Sequence, residues 1–147
     1  MNIGFYEEDI TASNLSNFAK HYFILDGVSC NSMEGLLRAI QVRNMDLQKK
    51  ICLCHGLEAK RYPISRDWKK DQTLFWQGSK MLRKSEDYKK FLLKAYLSLL
   101  DNSLFRVYLK STGGQRFTHS LGSNTPSSTV LTEKEFICIL YELRRRL

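Results

Sequence analysis

Hydrophobic side chains recur at three- and four-residue intervals over several stretches of the chain, and this spacing predicts amphipathic helices. The clearest stretch has one apolar face, which is made by Tyr88, Phe91, Leu92, Ala95, Tyr96 and Leu99. A second follows the candidate N-cap Ser32, and its apolar face is made by Met33, Leu36, Leu37 and Ile40. A third predicts the last helix, with an inner face made by Phe136, Ile137, Leu140 and Leu143.

Two less regular stretches also predict helices. One is expected over residues 46–55. Asp67 is expected to cap the other, which would carry Trp68, Gln72 and Trp76. The stretch "LFRVYLK", residues 104–110, fits either a helix or a strand.

Short strands are predicted where aromatic and β-branched residues cluster next to turn residues. "HYFILDG", residues 21–27, closes on Asp-Gly, a dipeptide typical of tight hairpins. Residues 3–6 and "RFTHSL", residues 116–121, also predict strands. Because strands come first and late with helices between them, the order favours an α+β fold, mostly helical with a few short strands.

Length and composition indicate a single globular domain over residues 1–147. Hydrophobic residues make up 43% and charged residues 26% of the 147 residues, an ordinary globular mixture. No apolar run approaches the roughly 20 residues that a membrane-spanning helix needs. The acidic N-terminus lacks a signal-peptide pattern. We therefore expect a cytoplasmic protein without a membrane partner.

The four cysteines are expected to be free thiols, because a cytoplasmic chain is kept reduced. Cys52, Cys54 and His55 lie close together in sequence, but no second pair with finger spacing follows. We expect no metal site.

The formal net charge of +8 is consistent with a polyanionic partner or a phosphorylated ligand. Trp68 and Trp76 lie among basic residues that include Arg66 and Lys69, so an indole could stack on a base while cations hold phosphate. Spacing alone favours the alternative, in which the tryptophans are core residues and the lysines are solvated. A nucleic-acid partner bound at the basic surface also remains open.

No phosphate-binding loop, dinucleotide fingerprint or nucleophile elbow is present, and the pattern of residues alone gives Glu34 no catalytic role. Beyond these patterns, the chain resembles the YbiA-like, or NADAR, family over nearly its whole length. The matching residues, in chain order, are Phe5, Tyr6, Ser16, Asn17, Phe18, Asp26, Gly27, Ser32, Glu34, Ala39, Ala59, Lys60, Arg66, Asp67, Trp68, Met81 and Phe91, followed by the "LKSTGG" turn and the closing "ILYELRRRL".

The resemblance implies a YbiA-like α+β domain with N-glycosidase-type chemistry on a ribosyl phosphate or an ADP-ribosyl adduct, without a cofactor. It implies that Glu34 is the catalytic carboxylate. The candidate substrate-binding residues are Asn17, Phe18, Lys60, Arg66, Trp68 and Trp76, together with the cation Arg38, which stands where the family has a glutamine.

The chain departs from the family pattern at two places that bear on catalysis. Gly35 stands where the family has a histidine after the glutamate, and "SLGSNTPSS", residues 120–128, replaces the late Asp-x-x-Trp-Gly loop. The alternative function is therefore a catalytically degenerate module that binds a nucleotide or a protein.

Overall fold

The computed structural model describes residues 1–147, which form helices and two separate two-stranded sheets. The helices are α1 (Ile10–Asn14), α2 (Met33–Ala39), α3 (Met45–Cys52), α4 (Gly56–Lys60), α5 (Trp68–Asp71), α6 (Glu86–Leu100), α7 (Ser103–Ser111) and α8 (Glu133–Arg145). The strands are β1 (Phe23–Leu25), β2 (Val28–Cys30), β3 (Thr73–Trp76) and β4 (Ser79–Leu82). The predicted α+β class, mostly helical with a few short strands, is confirmed.

Both sheets are antiparallel hairpins closed by two-residue turns. Leu25 pairs with Val28 in the first, and Trp76 pairs with Ser79 in the second. The turn residues Asp26 and Gly27 have φ values of 49° and 79°, the left-handed backbone that such turns require. The hairpin predicted from Asp-Gly is therefore confirmed.

The second hairpin replaces a predicted helix. The helix that begins near Asp67 ends after one turn, because Gln72 adopts a left-handed conformation with φ of 52° and ψ of 39°. The chain then continues as β3, so Trp76 is a strand residue and not a helix residue. Asp67 is the N-cap residue of α5, as predicted, but its side chain makes no hydrogen bond to the helix.

The strands predicted over residues 3–6 and 116–121 are reduced to one parallel bridge between Asn2 and Thr118. The Asn2 side chain takes over part of the pairing, since its Oδ1 accepts hydrogen bonds from the Ser120 amide and the Thr118 hydroxyl. These two segments therefore lie side by side without forming a sheet.

The helix predictions are confirmed for α2, α6 and α8, and 104–110 proves to be helical in α7. The predicted helix over 46–55 is shorter, because α3 ends at Cys52. Ser32 caps α2 as predicted, accepting from the Gly35 amide, and Thr132 and Glu135 form a reciprocal capping box on α8.

One hydrophobic core of 31 buried residues joins both hairpins to the helices. Helix α6 packs against β1, β4, α7 and α8, and it contributes the fully buried side chains of Tyr88 and Tyr96. None of the helices combines the length and the apolar character that a bilayer crossing demands.

Candidate functional site

A cleft of about 480 Å³ lies where the N-terminal segment, α2, α4 and the segment before α8 meet. Of the residues that the sequence implicates in binding or catalysis, seven line it: Asn17, Phe18, Glu34, Arg38, Lys60, Arg66 and Trp68. The eighth, Trp76, does not. Its ring packs against Phe91 in the core, and its Nε1 donates to Asp26 Oδ2 at 2.9 Å.

Glu34 lies in the first turn of α2, which Ser32 caps. Its amide donates to the carbonyl oxygen of Asn17 at 2.9 Å, a bond that fixes the start of α2 beside the loop before β1. The Glu34 carboxyl makes no hydrogen bond within the protein, although the side chain is half-buried. Burial raises the pKa of Glu34 to about 7, while the charges of Lys60 and Arg38 act in the opposite direction.

Asn17 is held in one orientation by Tyr96. Burial, followed by the nearby charge of Glu34, raises the pKa of Tyr96 well above its ordinary value, so the phenol stays protonated. Its hydroxyl donates to Asn17 Oδ1 at 2.6 Å. The Asn17 amide nitrogen, which makes no hydrogen bond within the protein, is therefore available to a ligand beside Glu34.

Four cations line the cleft, and none of them forms a salt bridge: Arg38, Lys60, Arg66 and Lys69. Arg38 donates from Nε and Nη2 to the carbonyl oxygen of Tyr62, at 3.0 and 2.7 Å, which orients its guanidinium. Burial, followed by repulsion from Arg66, lowers the pKa of Arg38. Two guanidinium groups that repel one another are suited to an anionic ligand.

Aromatic rings occupy the side of the cleft formed by the N-terminal segment. The Phe5 and Phe18 rings are 5.8 Å apart, and Tyr6 packs edge-on against Phe5 at 5.5 Å. Lys60 Nζ lies 5.6 Å from the centre of the Phe18 ring. Trp68 is only 3% exposed, whereas Phe5 is 43% exposed, so Phe5 and Phe18 offer a larger stacking surface than the tryptophan.

The segment that closes the cleft is anchored by Arg83, which is almost fully buried. Arg83 makes a bidentate pair with Glu135 and donates from Nε to the carbonyl oxygen of Thr129 at 2.9 Å. Burial opposes the charge of Glu135, but hydrogen bonds from Arg83 and Thr132 outweigh it and lower the pKa of Glu135. Tyr88 adds a bond of 2.6 Å to the carbonyl oxygen of Val130. The cleft wall formed by residues 128–132 is thus fixed to α8.

The glycine after Glu34 has a packing role. A Cβ at Gly35 would lie 2.8 Å from the carbonyl oxygen of Cys54 and 2.9 Å from that of Ile51. A histidine cannot be accommodated here, because α2 packs directly on the backbone that ends α3. The packing of α2 on α3 thus requires a glycine at this position.

His119 also lines the cleft, and no sequence pattern indicated a role for it. The three histidines have no ligand-like spacing. The partners of His119 are Ile3, which is 116 positions away in sequence, and Phe136. Only the fold brings these residues together.

The cysteines are all free, with Cys30, Cys52 and Cys54 buried and Cys138 exposed. Nowhere in the structure do three or more His, Cys, Asp or Glu side chains converge as a metal site would require.

Comparison with known proteins gives matches over nearly the whole chain. The family described as bacteriophage protein Gp30.3 matches residues 9–145. A 17.1 kDa protein of Enterobacteria phage T4, described as uncharacterized and located in the Gp30–rIII intergenic region, is 37% identical over 133 residues, with 88% of each chain covered. The NMR structure of the E. coli protein YbiA aligns over 99% of this chain and 83% of its own, with a TM-score of 0.59 and 14% identity. At this identity the likeness establishes the YbiA-like fold and not a function.

Proposed function

The chain belongs to the bacteriophage protein Gp30.3 family, and we propose that its cleft binds a phosphorylated ribosyl ligand and hydrolyses the N-glycosidic bond of that ligand. Glu34 is the catalytic carboxylate in this proposal, and ADP-ribosyl adducts or 5-phosphoribosyl amines are the substrate class. Two lines of support favour this function: the resemblance in sequence and the chemistry of the residues that line the cleft.

One observation carries the proposal. Glu34 is the only acidic side chain that lines the cleft, its carboxyl has no hydrogen-bond partner in the protein, and its pKa is about 7. Such a carboxyl is available to a ligand and can exchange a proton near neutral pH. Departure of a base from ribose leaves positive charge on the sugar carbon, which a carboxylate can stabilise while it activates water.

The other residues of the cleft match the remaining parts of such a substrate. The four unpaired cations offer charge-assisted hydrogen bonds to phosphate oxygens. The Phe5 and Phe18 rings offer a surface on which a base can stack, and the free amide nitrogen of Asn17 can donate to a sugar hydroxyl.

A second candidate function is a binding module on the same fold. It is favoured by the composition of the cleft wall, where residues 120–128 carry no acid and leave Glu34 without a second carboxylate. In that case the cations and aromatic rings would hold the ligand, and bond cleavage would not follow.

Calorimetry with ADP-ribose and a release assay separate the two functions. We expect ADP-ribose to bind with a dissociation constant between micromolar and millimolar, which corresponds to a favourable binding free energy of about 4–8 kcal/mol. We expect release of the base from an ADP-ribosylated nucleobase or from a 5-phosphoribosyl aminopyrimidine. Glu34→Gln should reduce that release by about 100-fold or more with little change in affinity.

The matched control is Glu86→Gln, which neutralises an exposed glutamate at the start of α6. This variant should behave as the wild type in both assays. Binding without release, unchanged by Glu34→Gln, would establish the binding module instead. Absence of both binding and release would refute the two functions together.

A further inference from the structure

His119 lines the cleft and has one ring nitrogen that is anchored to the backbone. Its Nδ1 lies 2.7 Å from the carbonyl oxygen of Ile3. A carbonyl oxygen only accepts, so Nδ1 must carry a hydrogen in every charge state of the ring. Any proton that His119 exchanges with a ligand therefore comes from or goes to Nε2.

The ring is fixed on two further sides. It packs edge-on against Phe136, with ring centres 5.1 Å apart. A Cβ at Gly122 would lie 2.9 Å from Cδ2 and 3.3 Å from Nε2 of His119, so the absence of a side chain there makes room for the imidazole. Nε2 makes no hydrogen bond within the protein, although the residue is half-buried in the wall of the cleft.

His119 and Glu34 are complementary members of the cleft. The remaining ionisable side chains that line it are Tyr6, Arg38, Lys60, Arg66 and Lys69, none of which is a carboxyl or an imidazole. The Glu34 carboxyl and the His119 imidazole are therefore the candidate base and acid of the cleft.

We infer that His119 is a second catalytic residue, the general acid that protonates the leaving base, in place of the acid that residues 120–128 do not supply. This inference rests on the proposed hydrolysis of an N-glycosidic bond.

The step balances with the groups at hand. The bond between the ribose carbon and the base nitrogen breaks, and its electron pair stays on nitrogen. The imidazolium of His119 gives the proton on Nε2 to that nitrogen. A water oxygen bonds to the ribose carbon, and Glu34 takes the proton that this water loses. Transfer of a proton from the Glu34 carboxyl to the neutral imidazole through solvent restores both groups for the next turnover.

The test uses His119→Asn and His119→Gln in the full chain. The amide nitrogen of asparagine can replace Nδ1 as donor to Ile3, so this variant keeps the anchor and removes the proton donor. Glutamine can extend an amide towards the Nε2 position but carries no exchangeable acid. The matched control is His55→Asn, an exposed histidine before α4 whose side chain makes no capping bond.

Both His119 variants should bind ADP-ribose within about threefold of the wild type but release the base about 100-fold more slowly. Because both variants lack the proton donor, the shape of the profile of release rate against pH should change in both of them. His55→Asn should leave rate and profile unchanged. Imidazole nitrogen shifts should show Nδ1 of His119 protonated throughout the pH range.

Base release at the wild-type rate and with the wild-type profile in His119→Asn would overturn the role of His119 while leaving the proposed hydrolysis in place. An Nε2–H tautomer in the neutral wild-type ring would overturn the role as well. Absence of base release in the wild type would refute the hydrolysis, and the role of His119 would fall with it.

Discussion

At Glu34 the requirements of stability and of chemistry conflict. A carboxyl that is half-buried without a hydrogen-bond donor is costly to ionise, and this cost is what raises its pKa to about 7. The folded chain keeps this unfavourable group beside Asn17, whose orientation is fixed by Tyr96. Sites that carry such a cost for a reactive group are commonly functional.

The pH dependence of stability should reveal this cost. Between the ordinary pKa of a glutamate and about 7, the folded chain holds a proton that the unfolded chain has released. The free energy of unfolding therefore falls as pH rises through this window, and the loss is complete above it. Glu34→Gln lacks this loss, so its advantage over the wild type should grow with pH.

We expect the advantage to be near zero at pH 4 and about 1–3 kcal/mol at pH 8, because one pKa unit is worth about 1.4 kcal/mol and partial exposure reduces the total. Urea denaturation at a series of pH values measures it, with Glu86→Gln as the control. A difference between Glu34→Gln and wild type that is constant with pH would show that Glu34 titrates normally.

The sequence predicted the individual site residues unevenly. The ordered resemblance identified Asn17 and Glu34, which the fold brings into one cleft with Arg38, a residue that departs from the family pattern. The resemblance could not separate Trp68 from Trp76, since both are aromatic residues among cations. Both are buried in the core, and the turn at Gln72 places the second on β3, away from the cleft. The sequence did not identify His119 as a site residue, because its partners Ile3 and Phe136 come from other parts of the chain.

At the scale of helices and strands, predictions succeeded where one local signal determined the structure. The Asp-Gly turn specified the first hairpin, and the cap at Ser32 marked the start of α2. The second hairpin was missed because its Gln77–Gly78 turn follows an apparently helical spacing of tryptophans. Its position depends on Gln48, a fully buried side chain that bonds to Phe75 and Gln77.

The crossing of α2 over the end of α3 gives a prediction about packing. Gly35→Ala would place a methyl group within 3 Å of two carbonyl oxygens, those of Cys54 and Ile51. Backbone atoms cannot move aside as a side chain can, so we expect a loss of about 1–3 kcal/mol in the free energy of unfolding. Because Glu34 precedes this contact, the affinity for ADP-ribose should fall as well.

Gly114→Ala is the matched control for this substitution. A Cβ at Gly114 meets no atom within 4 Å, and its backbone is outside the left-handed region. Its stability should lie within about 0.5 kcal/mol of the wild type. Equal thermal and urea midpoints for the two variants would show that α2 and α3 are not packed as closely as the structure indicates.

For the whole molecule, the sequence predicted the α+β class and the excess of positive charge, but it did not predict which cations form salt bridges. The chain carries a net charge of +8, yet several of its cations are neutralised locally. Glu142 pairs with Arg145 and Arg146, and Asp26 pairs with Lys94. The four cations of the cleft have no such partners. The charge of these four cations is therefore available to a ligand.

Two charge-matched double variants test whether ADP-ribose is bound by the cations of the cleft or attracted by the net positive charge of the protein. Arg66→Ala with Lys69→Ala removes two cations of the cleft, whereas Arg106→Ala with Lys110→Ala removes two from α7, away from it. The first double variant should weaken ADP-ribose binding about tenfold or more, because charge-assisted hydrogen bonds to phosphate are lost. The second should leave the affinity for ADP-ribose within about twofold.

A nucleic-acid partner bound through the basic surface would behave differently. Binding to duplex DNA through several phosphates weakens steeply with salt, and each lost contact reduces the slope of log affinity against log salt by about one. Both double variants can be titrated with ADP-ribose and with a DNA duplex at salt concentrations from about 50 to about 200 mM. These titrations distinguish the two cases. Equal weakening of ADP-ribose binding in the two variants would mean that net charge, and not the cleft, attracts the ligand.

A second outcome concerns DNA. If DNA binds tightly, if this binding weakens with salt and if ADP-ribose does not compete with it, nucleic acid is favoured as the partner of the basic surface.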